Sequence, residues 1–231
     1  MSNILICDDE KDIVSALRIC LAAEGYEIFE AYNGMEALNV IRQNDIHLVL
    51  LDIMMPEMDG ISTLAKIRES YNMPVLFISA KSEDADKILG LNIGADDYIT
   101  KPFNIIEVVA RVKSNLRRYM RLGSNVSGSS RIEIGGLCLD DSEKTVTADG
   151  EEINLTPTEY EILKLLMKNP GKVFSPREIY EKVWKETLLG SENTVAVHIR
   201  HLREKLEINP AEPRYIKVVW GQGYKIQGVG R

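Results

Sequence analysis

Short apolar runs alternate with helical periodicities over residues 1–121. Ile4–Cys7, Glu27–Ala31, Leu48–Leu51, Val75–Ser79 and Tyr98–Thr100 read as buried strands. Between them Ile13, Leu17, Cys20 and Leu21 recur at helical spacing. So do Ala37, Leu38 and Ile41, then Leu64 and Ile67, Ile88 and Leu91, and Val108, Val112 and Leu116. This strand–helix alternation predicts a parallel sheet with helices on both faces. In such sheets ligands bind beyond the carboxyl ends of the strands.

The pattern breaks at Gly123–Ser130, which holds only small or polar residues apart from Val126. Residues 122–130 therefore read as a flexible linker between a domain at 1–121 and another at 131–231. The second domain opens with short strands at Ile132–Ile134, Leu137–Leu139 and Lys144–Thr147. An Asp149-Gly150 turn then leads into a strand at Ile153–Leu155. Helices are predicted to start at Thr156-Pro157-Thr158-Glu159 and Ser175-Pro176-Arg177-Glu178, each with an N-cap, a proline at the first helical position and a capping-box glutamate. A third helix spans Glu192 to Leu206. Strands at Tyr215–Val219 and Tyr224–Ile226 form a closing hairpin through Gly221 and Gly223.

Composition adds limits. The chain is 45% hydrophobic and 27% charged, as expected of a globular protein. Cys7, Cys20 and Cys138 have neither disulfide-framework nor zinc spacing. Residues 1–7 lack the basic region of a signal peptide, and no apolar run is long enough to span a membrane. The expectation is a cytoplasmic protein without membrane association. The net charge of −7 is unevenly spread. Asn193–Arg231 carries seven Lys/Arg against three Asp/Glu, whereas Met1–Arg121 carries 13 against 19. A basic excess at one end suits nucleic acid better than the total suggests.

The predicted sheet brings distant acids together. Asp8 and Asp9 follow the first strand, Asp52 ends the third, and Lys101-Pro102 ends the fifth. Clustered carboxylates repel one another unless a cation joins them. Hard oxygen ligands with open positions suit Mg²⁺, and a lysine supplies a point charge for a phosphate oxygen. A carboxylate can attack phosphorus, and phosphoryl transfer needs mainly positioning and charge neutralisation. Asp52, on the central strand, is the candidate nucleophile. Asp8, Asp9 and the Met54 carbonyl are the candidate metal ligands.

CDDE at Cys7–Glu10, LLDIMMPEMDG at Leu50–Gly60, ISA at Ile78–Ala80 and GADDYITKPF at Gly94–Phe103 resemble the receiver domain of two-component response regulators. The resemblance implies a flavodoxin-like, doubly wound α/β fold whose Asp52 accepts phosphate from a histidine kinase. It implies Mg²⁺ on Asp9, Asp52 and the Met54 carbonyl, with Asp8 helping through water. It further implies Ser79 and Lys101 on the phosphoryl oxygens, Tyr98 as an aromatic switch, and a cis Lys101-Pro102 bond. Beyond assisting its own phosphorylation and dephosphorylation, the chain is not expected to be an enzyme. Haloacid-dehalogenase-type phosphatases also use a strand-end aspartate. They need a second aspartate two residues on, where this chain has Met54, which moves no proton.

In the third C-terminal helix Val195, Ile199, Leu202 and Leu206 form an apolar stripe. Asn193, Val197, Arg200 and Glu204 fall opposite, with His201 beside them. LTPTEYEIL at Leu155–Leu163, NTVAVHIRHLREKL at Asn193–Leu206 and YIKVVWGQGYKI at Tyr215–Ile226 resemble the α+β winged-helix effector of the OmpR/PhoB family, with wording closest to vancomycin-resistance-type regulators. The resemblance implies that the third helix enters the major groove, with Val197, Arg200 and His201 at base edges. Trp184, Thr194, His198, Arg203 and Tyr224 are then phosphate-contact candidates, joined by Asn193, Lys217 and Lys225. Many relatives have a wing arginine where Trp220 stands. Trp220 supplies no charge to a minor groove, and packing beneath the wing is the expectation for it.

Phosphorylated receivers of this family dimerise. Here the matching charges are Lys87 with Glu107, Asp97 with Arg111, and Asp96 with Arg118. The expected partners are a sensor histidine kinase, double-stranded promoter DNA and a second copy of the chain, with RNA polymerase a further candidate. The alternative is a phosphate-independent DNA binder that uses its receiver for docking.

Overall fold

In the computed structural model, five parallel strands form one sheet in the order β2-β1-β3-β4-β5. They are β1 (Asn3–Cys7), β2 (Glu27–Ala31), β3 (Leu48–Asp52), β4 (Val75–Ser79) and β5 (Asp97–Thr100). The structure describes residues 2–80, 94–122, 131–185 and 193–227. The expected helix around Ile88–Leu91 and the linker segment 123–130 lie outside these residues. The chain divides into two compact units, Met1–Tyr119 and Met120–Arg231.

Strands β3 and β4 are buried along their whole length, which explains their unbroken apolar runs. Alternate residues point to opposite faces. Ile4, Ile6, Leu48, Leu50, Leu76, Ile78 and Ile99 share a core with α1 (Lys11–Ala23) and α4 (Ile105–Leu122). The apolar spacing of Val14, Leu17 and Leu21 on α1 and of Val108, Val112 and Leu116 on α4 supplies the covering surface. On the other face α2 (Gly34–Gln43) packs against β1, β2 and α3 (Gly60–Arg68). Asn33 caps α2 by accepting from the Glu36 N–H at 2.9 Å, and Asp59 caps α3 by accepting from the Ser62 N–H at 2.6 Å.

The second unit begins as a four-stranded antiparallel meander, β6 (Arg131–Ile134), β7 (Leu137–Asp140), β8 (Thr145–Ala148) and β9 (Glu151–Glu152). Asp149 and Gly150 both have positive φ, 49° and 93°, as a tight hairpin turn demands. The last meander strand is Glu151–Glu152 rather than the expected Ile153–Leu155. Ile153 still donates to the Val146 carbonyl at 2.8 Å, but the chain then turns into a helix. That helix, α5 (Pro157–Met167), and α6 (Pro176–Trp184) both start with complete capping boxes, Thr156/Glu159 and Ser175/Glu178. Helix α7 (Asn193–Leu206) buries Val195, Ile199, Leu202 and Leu206, the stripe read from the sequence. The β10 (Ile216–Val219) and β11 (Gly223–Ile226) hairpin is held by a two-way backbone pairing of Tyr224 with Phe174.

Two interactions fix this wing on α7. The buried Glu207 carboxylate accepts from the backbone N–H groups of Tyr215 (2.8 Å) and Ile216 (2.9 Å). Arg203 donates through two guanidinium nitrogens to the Ile216 carbonyl, at 3.1 and 2.8 Å. Sequence reading gave Glu207 no role, because nothing local shows that its backbone partners lie eight and nine residues ahead.

Gly60 connects the fold to the acidic edge. A Cβ there would lie 2.1 Å from the Asp52 carbonyl oxygen, so only glycine lets α3 start this close to β3. Gly60→Ala is expected to cost about 1–3 kcal/mol of stability, read as a lower urea midpoint of the first unit. An unchanged midpoint would contradict this close approach.

Candidate functional site: an acidic pocket and a basic hairpin

Parallel pairing aligns the strand ends that carry the chemistry. Asp52 pairs with Ile78, so Ser79 lies one residue beyond it on β4, and Ser79 pairs with Thr100, just before Lys101. The Lys101 N–H donates to the Ser79 carbonyl at 2.8 Å. The Asp8 N–H donates to the Ala31 carbonyl at 3.2 Å, holding the first acid at the end of β1. The Lys101-Pro102 bond is cis, as the sequence led us to expect.

Asp8, Asp9 and Asp52 each present an oxygen within 4.8 Å of the other two. Asp8 and Asp52 are buried, whereas Asp9 is exposed. The Lys101 ammonium reaches Asp8 Oδ2 at 2.8 Å, Glu10 Oε1 at 3.0 Å and Asp52 Oδ1 at 3.3 Å. The Met54 N–H donates to Asp52 Oδ2 at 2.8 Å. The structure thus brings together Asp8, Asp9, Asp52 and Lys101, and Glu10 joins them. The CDDE string contained Glu10, but its pairing with a lysine 91 residues away became visible only in the folded chain.

Burial pushes the Asp52 carboxyl up to about 6; Lys101 opposes this shift and Asp8 adds to it. Asp8 is also raised, chiefly by burial. Burial alone would lower Lys101, but hydrogen bonds to Asp8 and Glu10 outweigh it and hold the ammonium charged. The Cys7 thiol is raised, first by burial and then by the surrounding carboxylates, so it stays protonated. Three carboxylates around one small space, two of them buried, fit a divalent cation with oxygen ligands.

Ser79 and Tyr98 are both buried at this sheet edge. The charges expected to pair between two copies are engaged within one chain. Arg111 contacts Asp97 at 2.8 Å and Glu107 at 3.0 Å. Asp96 is fully buried, accepting from Arg68 at 2.9 Å and from the Val75 N–H at 3.0 Å. Arg118 donates to Ser114 and Asn115. An Asp96–Arg118 pair across a dimer would therefore require breaking a buried interaction, which corrects the expectation for that pair. Lys87 lies outside the described residues.

The second unit also differs from its sequence reading. Of the three base-edge candidates only Arg200 is exposed, bound to Glu204 at 2.7 Å; Val197 is 6% exposed and His201 7%. Trp184 is fully buried, stacked on Tyr180 with ring centroids 4.6 Å apart. Thr194 and His198 are buried, and Arg203 is committed to the Ile216 carbonyl. Thr194 and His198 are not surface groups in this structure, because α7 packs more of its circumference than its apolar stripe, and Arg203 is half-buried. The side chain of Asn193 lies outside the described residues. Lys217, Tyr224 and Lys225 are half-buried on the wing, and Lys217 pairs with Lys225 across the hairpin. Trp220 is 88% exposed next to Gly221, not packed beneath the wing.

Residues 4–113 match the family model for the response regulator receiver domain, and residues 150–226 match that for the C-terminal part of transcriptional regulatory proteins. The chain is 44% identical to regulatory protein VanRc of Enterococcus gallinarum, covering 97% of this chain and 98% of that protein. It is 43% identical to the transcriptional regulatory protein YcbL of Bacillus subtilis, covering 96% and 99%. Among solved structures it is similar to DrrB, an OmpR/PhoB homologue of Thermotoga maritima. That likeness has a TM-score of 0.52 and 32% identity, over 99% of this chain and all of DrrB. Among the described residues no helix is long and apolar enough to cross a membrane.

The raised Asp52 value has a consequence for stability. The folded chain holds this proton up to about pH 6 while the unfolded chain releases it near 3.8, so stability falls as pH rises through that interval. Asp52→Asn removes the penalty. In magnesium-free buffer at neutral pH it is expected to stabilise the first unit by about 1–3 kcal/mol, a gain that vanishes below about pH 4. Urea titrations across that range check it; a variant less stable at neutral pH would sink this account of the pocket.

Proposed function

Since the chain belongs to the OmpR/PhoB family of response regulators, whose members join a receiver to a transcriptional regulatory module, we propose that Asp52 is its phosphoacceptor and that phosphorylation there controls promoter binding. The observation that carries this reading is the Asp52 carboxylate at the end of the central strand. It lies within an ion's reach of Asp8 and Asp9, with Lys101 at 3.3 Å. With a value of about 6, Asp52 is largely ionised at neutral pH and able to attack. One of its oxygens forms a bond to the phosphorus of a histidine kinase's phosphoimidazole, the P–N bond breaks, and the imidazole nitrogen keeps the electron pair. Asp8, Asp9, Asp52 and the Met54 carbonyl would hold Mg²⁺, which neutralises charge on the phosphoryl oxygens. Lys101 leaves Glu10 and Asp52 to meet one of those oxygens, and the Ser79 hydroxyl meets another. Tyr98, already buried here, is the candidate switch residue, held inward when Ser79 engages the phosphoryl group. The chain's own chemistry is confined to gaining and losing this group.

DNA is read by α7 and the wing. Arg200 is the accessible candidate for a base edge, and Lys217 and Lys225 are candidates for phosphates. Val197, His198 and His201 are buried within the second unit and reach DNA only if α7 shifts against its neighbours. Pairing of two phosphorylated receivers through Glu107 and Arg111 would tether two readers and raise their effective concentration on paired half-sites. RNA polymerase is the further partner in this reading.

Acetyl phosphate with magnesium should add about 80 Da to the intact chain, the mass of one phosphoryl group, and nothing to Asp52→Asn. Wild type that gains no mass would defeat the proposal. Arg200→Ala should weaken binding to a footprinted promoter site by about 1–3 kcal/mol. Lys225→Ala should weaken all duplexes alike and reduce the slope of log affinity against log salt by about 1. Fluorescence anisotropy over a salt series separates the two.

A further inference from the structure

The second unit contains a ligating group that phosphotransfer does not use. Glu159 on α5 and His198 and His201 on α7 are all buried, and each offers a ligand atom within 4.8 Å of the other two. The histidines are three residues apart, hence neighbours on one helix face. Glu159 comes from the third position of α5, where the capping box fixes it.

The two oxygens of Glu159 have different surroundings. Oε2 accepts from the Thr156 N–H at 2.9 Å and from the Lys205 ammonium at 2.7 Å. Oε1 faces His201 Nδ1 at 3.7 Å. One oxygen is thus held by two orienting partners, while the other faces the His201 imidazole, with a His198 nitrogen in the same 4.8 Å cluster. Outer hydrogen bonds of this kind aim a carboxylate at a metal.

We propose that Glu159, His198 and His201 form a site for a divalent transition-metal ion such as zinc, separate from the acidic pocket at Asp52, and that this ion competes with DNA for α7. Two imidazoles and one carboxylate are the donors of borderline ions, whereas magnesium prefers oxygen alone. Metal–ligand bonds of about 2.0–2.2 Å put neighbouring ligand atoms of a tetrahedral centre about 3.3–3.6 Å apart. The 3.7 Å between His201 and Glu159 therefore needs little adjustment. A fourth position remains for water. The Lys205 charge weakens the site relative to one with four protein ligands, which suits an exchangeable ion. Coordination would lock both buried imidazoles to α5 and so oppose any movement of α7 that DNA contact by them requires. The competition clause rests on the role of α7 proposed above; the metal clause does not.

The test titrates the full-length chain with Co²⁺ in excess Mg²⁺, which keeps the Asp52 pocket filled. A visible absorption band of low-coordinate cobalt should saturate at one ion per chain and be displaced by Zn²⁺. His198→Gln, His201→Gln and Glu159→Gln should lose the band, and His201→Cys, which restores a ligating atom, should recover it. Zn²⁺ should raise the Tm of the wild type by several degrees and leave that of the Gln variants unchanged. No band in the wild type, or equal bands in all variants, overturns the site. Duplex DNA at low salt should bind at least tenfold more weakly once Zn²⁺ is added to the wild type, but not to Glu159→Gln. An intact band without that weakening overturns the competition and leaves the metal site standing, whereas Arg200→Ala that binds DNA like the wild type overturns the role of α7.

Discussion

Mutual repulsion among Asp8, Asp9 and Asp52, relieved by a single lysine, is the interaction on which the first unit's chemistry depends. Strand order 2-1-3-4-5 forces the ends of β1, β3 and β5 to one edge, so the fold itself imposes the crowding. Burial of Asp8 and Asp52 raises both carboxyls and makes the pocket costly without a cation. Lys101 offsets part of that cost through three acidic contacts. A site built this way is poised: a divalent ion would relieve the repulsion that Lys101 only moderates.

The second unit uses buried acids differently. Glu159 closes a capping box and reaches α7 through Lys205, and Glu207 closes the end of α7 and holds the start of the wing. Asp141, held below its usual range by Lys144, Lys164 and Tyr160 against the cost of burial, ties the meander to α5. Each carboxylate is held by more than one donor, so its burial fixes geometry. Helix α7 and the β10–β11 hairpin are therefore set relative to each other by side chain–to–backbone bonds.

Surface charge is less free than the sequence suggests. Asp97, Arg111 and Asp96 have partners within the chain. An interface between copies that used these residues would have to break buried pairs within each chain, which costs more than exchanging exposed ones.

The sequence by itself determined the two-part organisation, the strand and helix order, the capping boxes and the composition of the acidic pocket. These follow from local periodicity and from motif strings, in which neighbours along the chain carry the signal. Asp8, Asp52 and Lys101 were legible because parallel strands end where their apolar runs end, and Ser79 through the resemblance its motif carries. Tertiary structure alone decided the pairing of Glu10 with Lys101, the anchoring by Glu207, the intrachain partners of Asp96 and Asp97, the exposure of Trp220 and the burial of Val197, His198 and His201. Periodicity says which side of a helix is apolar, but not how much of the remaining circumference its neighbours cover. That depends on contacts between segments far apart in the chain, and no local pattern encodes it.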